Sequence, residues 1–305
     1  MSILSIILIV AGLCLFEIIT SIDNAIINAG VLSTMSERAR RWFLLWGLLF
    51  AVFIVRGALP WIIVWAVTPS LGPVGALTAT FSDNPSVKDA IAKSAPVLLA
   101  GGGVFLVFLF IEWLFVEPKK YSFSAERFFH SQPSWFYAVV ALALSVIAWL
   151  AMKKDPAMVV GALVGSTAFF IMLGFKHSAE KSEKKIVKSI HSDLSKIIYL
   201  EAIDTTFSID GVLGAFAFTL SVPLIIIGNG IGAFVLREFT VRNIDTIKKY
   251  AYLKNGAMYS VFILGLIMLS EAFGVHVPSW VSPAVTFLIV GYFLHKSISE
   301  NKVRI

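Results

Sequence analysis

Glu17-Ile-Ile-Thr-Ser-Ile-Asp23-Asn24 sits inside the first hydrophobic stretch of the chain, and Asp204-Thr-Thr-Phe-Ser-Ile-Asp210-Gly211 sits inside a later one. Each copy carries two carboxylates six residues apart with a serine between them. An ionised carboxylate at mid-bilayer costs about 2.5–3.5 kcal/mol on insertion scales, so four of them in apolar segments need a reason to be there. A shared cation, around which they gather, supplies one.

The surrounding composition makes these segments membrane spans rather than core helices. With 58% hydrophobic residues and a mean hydropathy of +0.85, the chain exceeds the roughly half apolar share of soluble domains. It reads as an all-α, polytopic membrane protein. The first segment lacks a positive n-region and a small-residue cleavage site, so it is read as a retained span rather than a signal peptide. Cys14 is the single cysteine, which excludes an intrachain disulfide and a Cys-based metal cluster.

Spans need about 20 mostly apolar residues. Nine are expected, at roughly 3–31, 42–66, 95–116, 135–152, 156–175, 197–220, 222–241, 252–273 and 279–297. The fourth and fifth are short and separated only by Lys153-Lys154-Asp155-Pro156, so a hairpin that does not cross fully also fits them. Twenty Lys and Arg residues fall in loops on one side and four, Lys88, Lys93, Lys153 and Lys154, on the other. The positive-inside bias then puts the N-terminus outside and the C-terminus in the cytoplasm, in the cell's inner (plasma) membrane. In that topology the two acidic motifs run antiparallel, and Phe53-Ile-Val-Arg56 parallels Phe234-Val-Leu-Arg237 on the following spans.

The expected organisation follows from this repeat. Residues 1–116 form a first transmembrane repeat (spans 1–3), 117–175 peripheral helices, and 176–196 a basic cytoplasmic linker. Residues 197–273 form the second, inverted repeat (spans 6–8), and 274–305 the last span and tail. Inverted repeats with polar helices near the midplane characterise secondary transporters.

Helical geometry sorts the acids. At 100° per residue Glu17, Ser21, Asn24 and Asn28 share a stripe, whereas Asp23 points about 120° away from Glu17. Glu201, Asp204, Thr205 and Ser208 share a stripe in the second copy, with Asp210 displaced in the same way. Either the helix unwinds near Asp23 and Asp210, for which Gly211 and Gly214 give room, or Asp23 and Asp210 bind the ion while Glu17 and Asp204 serve another role, such as carrying protons. The candidate metal ligands are Glu17, Asp23, Asn24, Asp204 and Asp210, supported by Ser21, Ser208, Glu201 and Arg56. Such an all-oxygen set suits Mn²⁺, Mg²⁺ or Ca²⁺ over Zn²⁺ or Cu⁺. The metal is cargo; no cofactor is expected.

The remaining polar residues in spans have blander readings. Arg56 lies near the far end of span 2, where it can partly snorkel; it pairs structurally with the acids or holds the empty site together. Arg237, Glu112 and Glu271 read as structural or interfacial. Asn229 and Asn255 line a pathway or serve helix–helix hydrogen bonding. The stretch 176–196 attracts anionic lipid without specificity, and nucleic acid is not needed to explain a net charge of +6.

Glu17, Ser21, Asp23 and Asn24, together with Glu201, Asp204, Phe207 and Asp210, resemble the paired motifs of the TerC-like integral membrane family, and the chain looks like the longer branch of that family. The resemblance covers chiefly spans 1–3 and 6–8. It implies an inner-membrane transporter related to the LysE-type exporters, with manganese efflux as its activity and tellurite resistance as the historical name. Gly211 departs from the pattern, standing where the family commonly has Ser.

The expected function is therefore export of a hard divalent cation, Mn²⁺ first and Ca²⁺ second, in exchange for protons, by a protein that is not an enzyme. A non-transporting scaffold or stress-resistance factor is the competing class. An intramembrane aspartyl protease is disfavoured because neither Asp23 nor Asp210 follows Gly-x-Gly, and no His-Glu-x-x-His motif occurs; no phosphate-binding-loop motif occurs either, so transport is expected to use an ion gradient.

Overall fold

Apolar runs of membrane length can satisfy their own backbone groups in lipid as helices. Among the described residues every regular element is helical. The computed structural model describes residues 2–47, 49–78, 85–188 and 192–303, with side chains throughout except at Asp23, Ile27, 51–53, Lys88, 179–188, Phe207, 239–249 and 301–303. Helix α1 (Ile3–Thr20) and α2 (Ile22–Leu32) are followed by α3 (Glu37–Trp42), two π-helical segments (Phe43–Gly47 and Phe50–Ala58), α4 (Leu59–Val67) and α5 (Gly72–Thr78). Then come α6 (Pro85–Phe115), α7 (Ser124–His130), α8 (Phe136–Lys154) and α9 (Pro156–Lys188). The chain continues through α10 (Asp193–Ala215), α11 (Val222–Lys249), α12 (Leu253–Ala272) and α13 (Val281–Val303).

Among the described residues six helices are long and apolar enough to cross a membrane: α1, α6, α8, α9 as far as Ser178, α12 and α13. The fourth and fifth expected spans are thus full-length helices. The second is bent by 103° between Val67 and Pro69, giving a seventh crossing if both arms count as one span. Thr68 ends the first arm, its Oγ1 donating to the Val64 carbonyl at 2.6 Å, and Gly72 restarts the chain at φ +66°. Helices α10 and α11 are also of span length, at 23 and 28 residues. Glu201, Asp204 and Asp210 keep α10 out of the apolar set. The chain is a polytopic helical membrane protein.

Helix α6 occupies the centre, with α9 on one face and α12 on the other. In lipid, apolar side chains gain little by leaving one apolar neighbour for another, so helices associate where small residues allow close backbone approach. Gly101, Gly161 and Gly165 provide this on the α9 side, where a Cβ on Gly101 would stand 2.7 Å from the Gly161 carbonyl oxygen. Gly103 and Gly265 do the same between α6 and α12. Phe169 closes the first seam edge-on against Phe105 and Phe108. Helix α9, placed among the peripheral helices by its sequence position, is therefore part of the core. Helix α8 is the outer one, with Tyr137, Leu142, Val146 and Trp149 exposed along it.

Polar contacts tie loops together at each end. At one end Lys176 pairs with Glu117 at 3.1 Å, Lys254 pairs with the same carboxylate, and Lys296 donates to the Ser122 carbonyl at 3.0 Å. There the buried Glu126 carboxylate accepts from the Ser122 amide, Asn255 and Tyr259, which is the helix–helix role open to Asn255. At the other end the Lys154 ammonium donates to the Phe273 carbonyl. Each contact joins segments that the charge bias assigns to one side. Glu112 departs from its interfacial reading: it is buried, 3.8 Å from the Lys176 ammonium.

Replacing Gly165 with Leu should separate α6 from α9 and destabilise the fold by about 2 kcal/mol or more, in the range of overpacked cores. Gly174, with open space around it, should accept Ala without loss. Thermal unfolding in detergent measures both.

Candidate cation site

The first acidic motif spans the junction of α1 and α2. Ser21 interrupts the helix at φ −90°, ψ 5°, yet its amide still donates to the Glu17 carbonyl (3.1 Å) and its carbonyl accepts from Ala25 (3.0 Å). The helical path is deflected rather than unwound. Helix α10 carries the second motif without a break as far as Ala215, so the unwinding anticipated at Gly211 and Gly214 does not occur. Those glycines are contact points instead. A Cβ on Gly211 would stand 2.9 Å from Glu17 Oε2, and Gly214 packs against the Phe16 ring.

Pairings along the two segments run in opposite senses. Phe16 meets Gly214, Glu17 meets Gly211, Asn24 donates to Asp204, Lys196 donates to the Thr34 carbonyl, and Ser36 bonds Asp193. The motifs are antiparallel, as the charge bias requires, and their contacts are reciprocal. Glu17 meets Gly211, while its counterpart Asp204 meets Asn24, the counterpart of Gly211.

This packing encloses a cavity of about 50 Å³. Its walls are Glu17, Ser21, Asn24 and Asn28 from α1 and α2, Asp204 from α10, Phe43 and Arg56 from the π-helical segments, and Ala233, Leu236 and Arg237 from α11. The four-residue stripe read from the first motif all faces it. Arg56 does not snorkel. Only 3% exposed, it reaches Glu17 Oε1 through Nη2 (2.7 Å) and Nε (2.8 Å), and Asp204 Oδ2 through Nη1 (3.4 Å). Ser21 Oγ also donates to Glu17 Oε1, at 2.7 Å. Three buried oxygens in these walls have no partner: Glu17 Oε2, Asn24 Oδ1 and Asn28 Oδ1. A buried acceptor left unpaired costs about 1–3 kcal/mol, so three around one cavity leave room there for a donor, a water or a cation.

The four acids do not share a centre. Asp210 lines a separate cavity of about 40 Å³ with Thr20, Glu117, Lys176 and Lys254, and its Oδ1 accepts from the Gly211 amide at 2.8 Å. The unbroken helix explains the separation, because six residues turn a side chain about 120° away from Asp204. The Asp23 side chain, like that of Phe207, lies outside the described residues. Glu201 packs on Gly47, Thr205 is exposed, and Ser208 turns back to the Asp204 carbonyl, so none of these three lines the cavity. Among the described residues no three His, Cys, Asp or Glu side chains converge on one point. Two carboxylates, two amides and a hydroxyl make up the donor set.

The sequence reading passes over Phe43 and takes Arg237 as structural, and the structure puts both in the cavity wall. Phe43 and Arg237 form one wall, with the guanidinium 4.6 Å from the ring centre. The repeated Phe-x-x-Arg pattern was the available signal, since it makes Arg237 the counterpart of Arg56.

Fold and site together define a polytopic membrane protein with a buried, charge-lined cavity between two antiparallel acidic helices. A family model described as "Protein of unknown function (DUF475)" matches residues 22–304, and the chain belongs to that family. It is also 25% identical over 158 residues to an uncharacterized membrane protein, YceF, of Bacillus subtilis (strain 168). That match covers 51% of this chain and 54% of the relative, so the chain spans about half the length of the curated protein it matches. No solved structure matches the chain.

Removing Arg56 leaves Glu17 buried with an uncompensated charge. Arg56→Met should therefore destabilise the protein by about 3–5 kcal/mol, as for other broken buried pairs. Adding Glu17→Gln to it should recover most of the loss. Denaturation of the single and double variants in detergent checks both.

Proposed function

We propose that the protein is a secondary transporter that exports a hard divalent cation, Mn²⁺ first, in exchange for protons. The observation that carries this reading is Glu17 Oε2, a fully buried carboxylate oxygen without a donor. The reciprocal contact supplies the reason. Asp204 faces the Asn24 amide, whereas Glu17 faces Gly211, which has no side chain to offer. A cation entering the cavity meets Glu17 Oε2, Asn24 Oδ1 and Asn28 Oδ1, with Asp204 and Ser21 beside them. This oxygen set favours Mn²⁺ or Ca²⁺, and it disfavours Mg²⁺, which dehydrates reluctantly.

Arg56 holds both carboxylates. Cation and guanidinium compete for Glu17 and Asp204, so loading the site moves Arg56 and the π-helical segment that carries it. Occupancy is in this way linked to helix position, which a carrier requires. The resemblance to the TerC-like family, with manganese efflux as its implied activity, supports Mn²⁺ as the cargo. Export against an inside-negative potential costs about 2.3 kcal/mol per charge per 100 mV, so at least two protons enter per Mn²⁺. In this reading the protein stands N-terminus out and C-terminus in across the inner membrane, and it is not an enzyme.

Calorimetric titration of Mn²⁺ onto purified variants tests the site. Glu17→Gln and Asp204→Asn should each weaken binding about 100-fold or more, the loss of roughly two decades that 2.8 kcal/mol represents. Asp210→Asn should bind like the wild type. The reverse pattern would remove the proposed ligand set. In everted vesicles, Mn²⁺ uptake should be driven by an acid interior and abolished by a protonophore; uptake indifferent to both would dissociate metal from proton movement. Ser36→Cys, in a background with Cys14→Ser, should resist impermeant thiol reagents added to intact cells, and labelling there would overturn the orientation.

A further inference from the structure

Two buried polar side chains, one on α11 and one just before it, have no partner and take no part in the site above. Asn229 is fully buried with neither its amide nitrogen nor its oxygen bonded, and Ser221, also fully buried, has an unpartnered Oγ. Their level in the molecule follows from the glycines of α11. Gly228 packs on Leu13, and Gly232 packs on the Cys14 carbonyl and the Glu17 side chain, so α11 runs parallel to α1. Asn229 therefore lies near the level of Cys14, about one helical turn from Glu17 on the side away from Asn24. It precedes Ala233 by four residues and Leu236 by seven, which places it on the same face of α11 as these two cavity residues.

Ser221 lies eight residues before Asn229, about 12 Å further along. Next to it the α10–α11 turn borders a second cavity of about 510 Å³, lined also by Ile9, Glu271 and His276. Between the two cavities stand Phe16 and Phe218, their ring centres 5.6 Å apart. Along α1 the order is the small cavity at Glu17, then Phe16, then the level of Asn229 beside Cys14, then the large cavity at Ile9; Asn229 itself lines neither cavity.

We propose that Asn229 is a second cation station, which passes Mn²⁺ between the Glu17–Asp204 cavity and the large cavity at the opposite end when the Phe16–Phe218 pair parts. This rests on the transport reading. A buried amide placed for packing would be bonded, as Asn255 is to Glu126; an unbonded one is a net cost that a passing ligand explains. An amide oxygen and a hydroxyl are hard donors, weak enough to release the ion, and Glu271 at the larger cavity supplies the attracting charge.

Asn229→Leu tests it, because Leu keeps the branched shape of Asn without its polar atoms and no hydrogen bond is lost. The variant, once folded, should keep wild-type Mn²⁺ affinity in calorimetry. Its Mn²⁺ flux into everted vesicles should fall about tenfold or more, equivalent to 1.4 kcal/mol on the barrier. Asn229→Asp, which keeps an oxygen donor, should retain flux. Wild-type flux in Asn229→Leu overturns the proposal, and so does loss of Mn²⁺ binding in that folded variant, which would put Asn229 in the central site. Should Asn229→Leu fail to fold, flux through Asn229→Asp no greater than through Glu17→Gln overturns it equally. A wild-type protein that neither binds nor moves Mn²⁺ overturns the transport reading itself.

Discussion

A guanidinium buried between two carboxylates sets the terms for the rest of this molecule. Glu17, Arg56 and Asp204 come from three separate helical stretches, and none of them is stable alone in an apolar surround. Once together they fix the approach of α1 to α10 and the position of the π-helical segments against both. Glycines then become necessary: Gly211 so that α10 can close on Glu17, and Gly232 so that α11 can cover it from the other side. Buried ion pairs add little net stability but are costly to break, so such a triad acts mainly to specify an arrangement.

The near-symmetry of the two motifs makes their one difference informative. Asn24 supplies a donor to Asp204, and Gly211, in the equivalent place, supplies none to Glu17. One carboxylate is satisfied by its repeat partner and the other keeps an open oxygen. A perfectly symmetric pair would have either closed the cavity on both sides or left two carboxylates unsatisfied. The asymmetry gives the cavity a direction, with its unpaired oxygens on the side of α1 and α2.

Much of this was legible in the residues, because intramembrane charge is expensive and its spacing is geometrical. The stripe of Glu17, Ser21, Asn24 and Asn28, the antiparallel sense of the motifs and the helical-membrane class all follow from period and charge count. The assignment of Asp210 did not follow. A helical wheel gives the angle between two side chains but not which neighbour stands on each side, and Lys176 and Glu117 come from helices distant in sequence. The same limit hid the place of Arg237 in the cavity wall and misplaced Glu112, whose partner Lys176 opens a stretch that reads from sequence as a solvated linker. The central role of α9 was hidden for another reason: Gly161 and Gly165 are a weak signal until the Gly101 backbone is seen against them.

Arg56 is carried by a backbone wound as a π-helix, in which each turn contains about one more residue than in an α-helix. Such a stretch holds slack. Shifting its hydrogen bonds from the i−5 to the i−4 carbonyl keeps every amide bonded, yet it turns all that follows by roughly 100° and shifts it by about 1.5 Å. A rigid α-helix would have to tilt or translate as a whole to swing this arginine away. A π-to-α shift would instead swing it by turning α4 and the bent arm beyond Pro69 about the helix axis, with no span leaving its place in the bilayer.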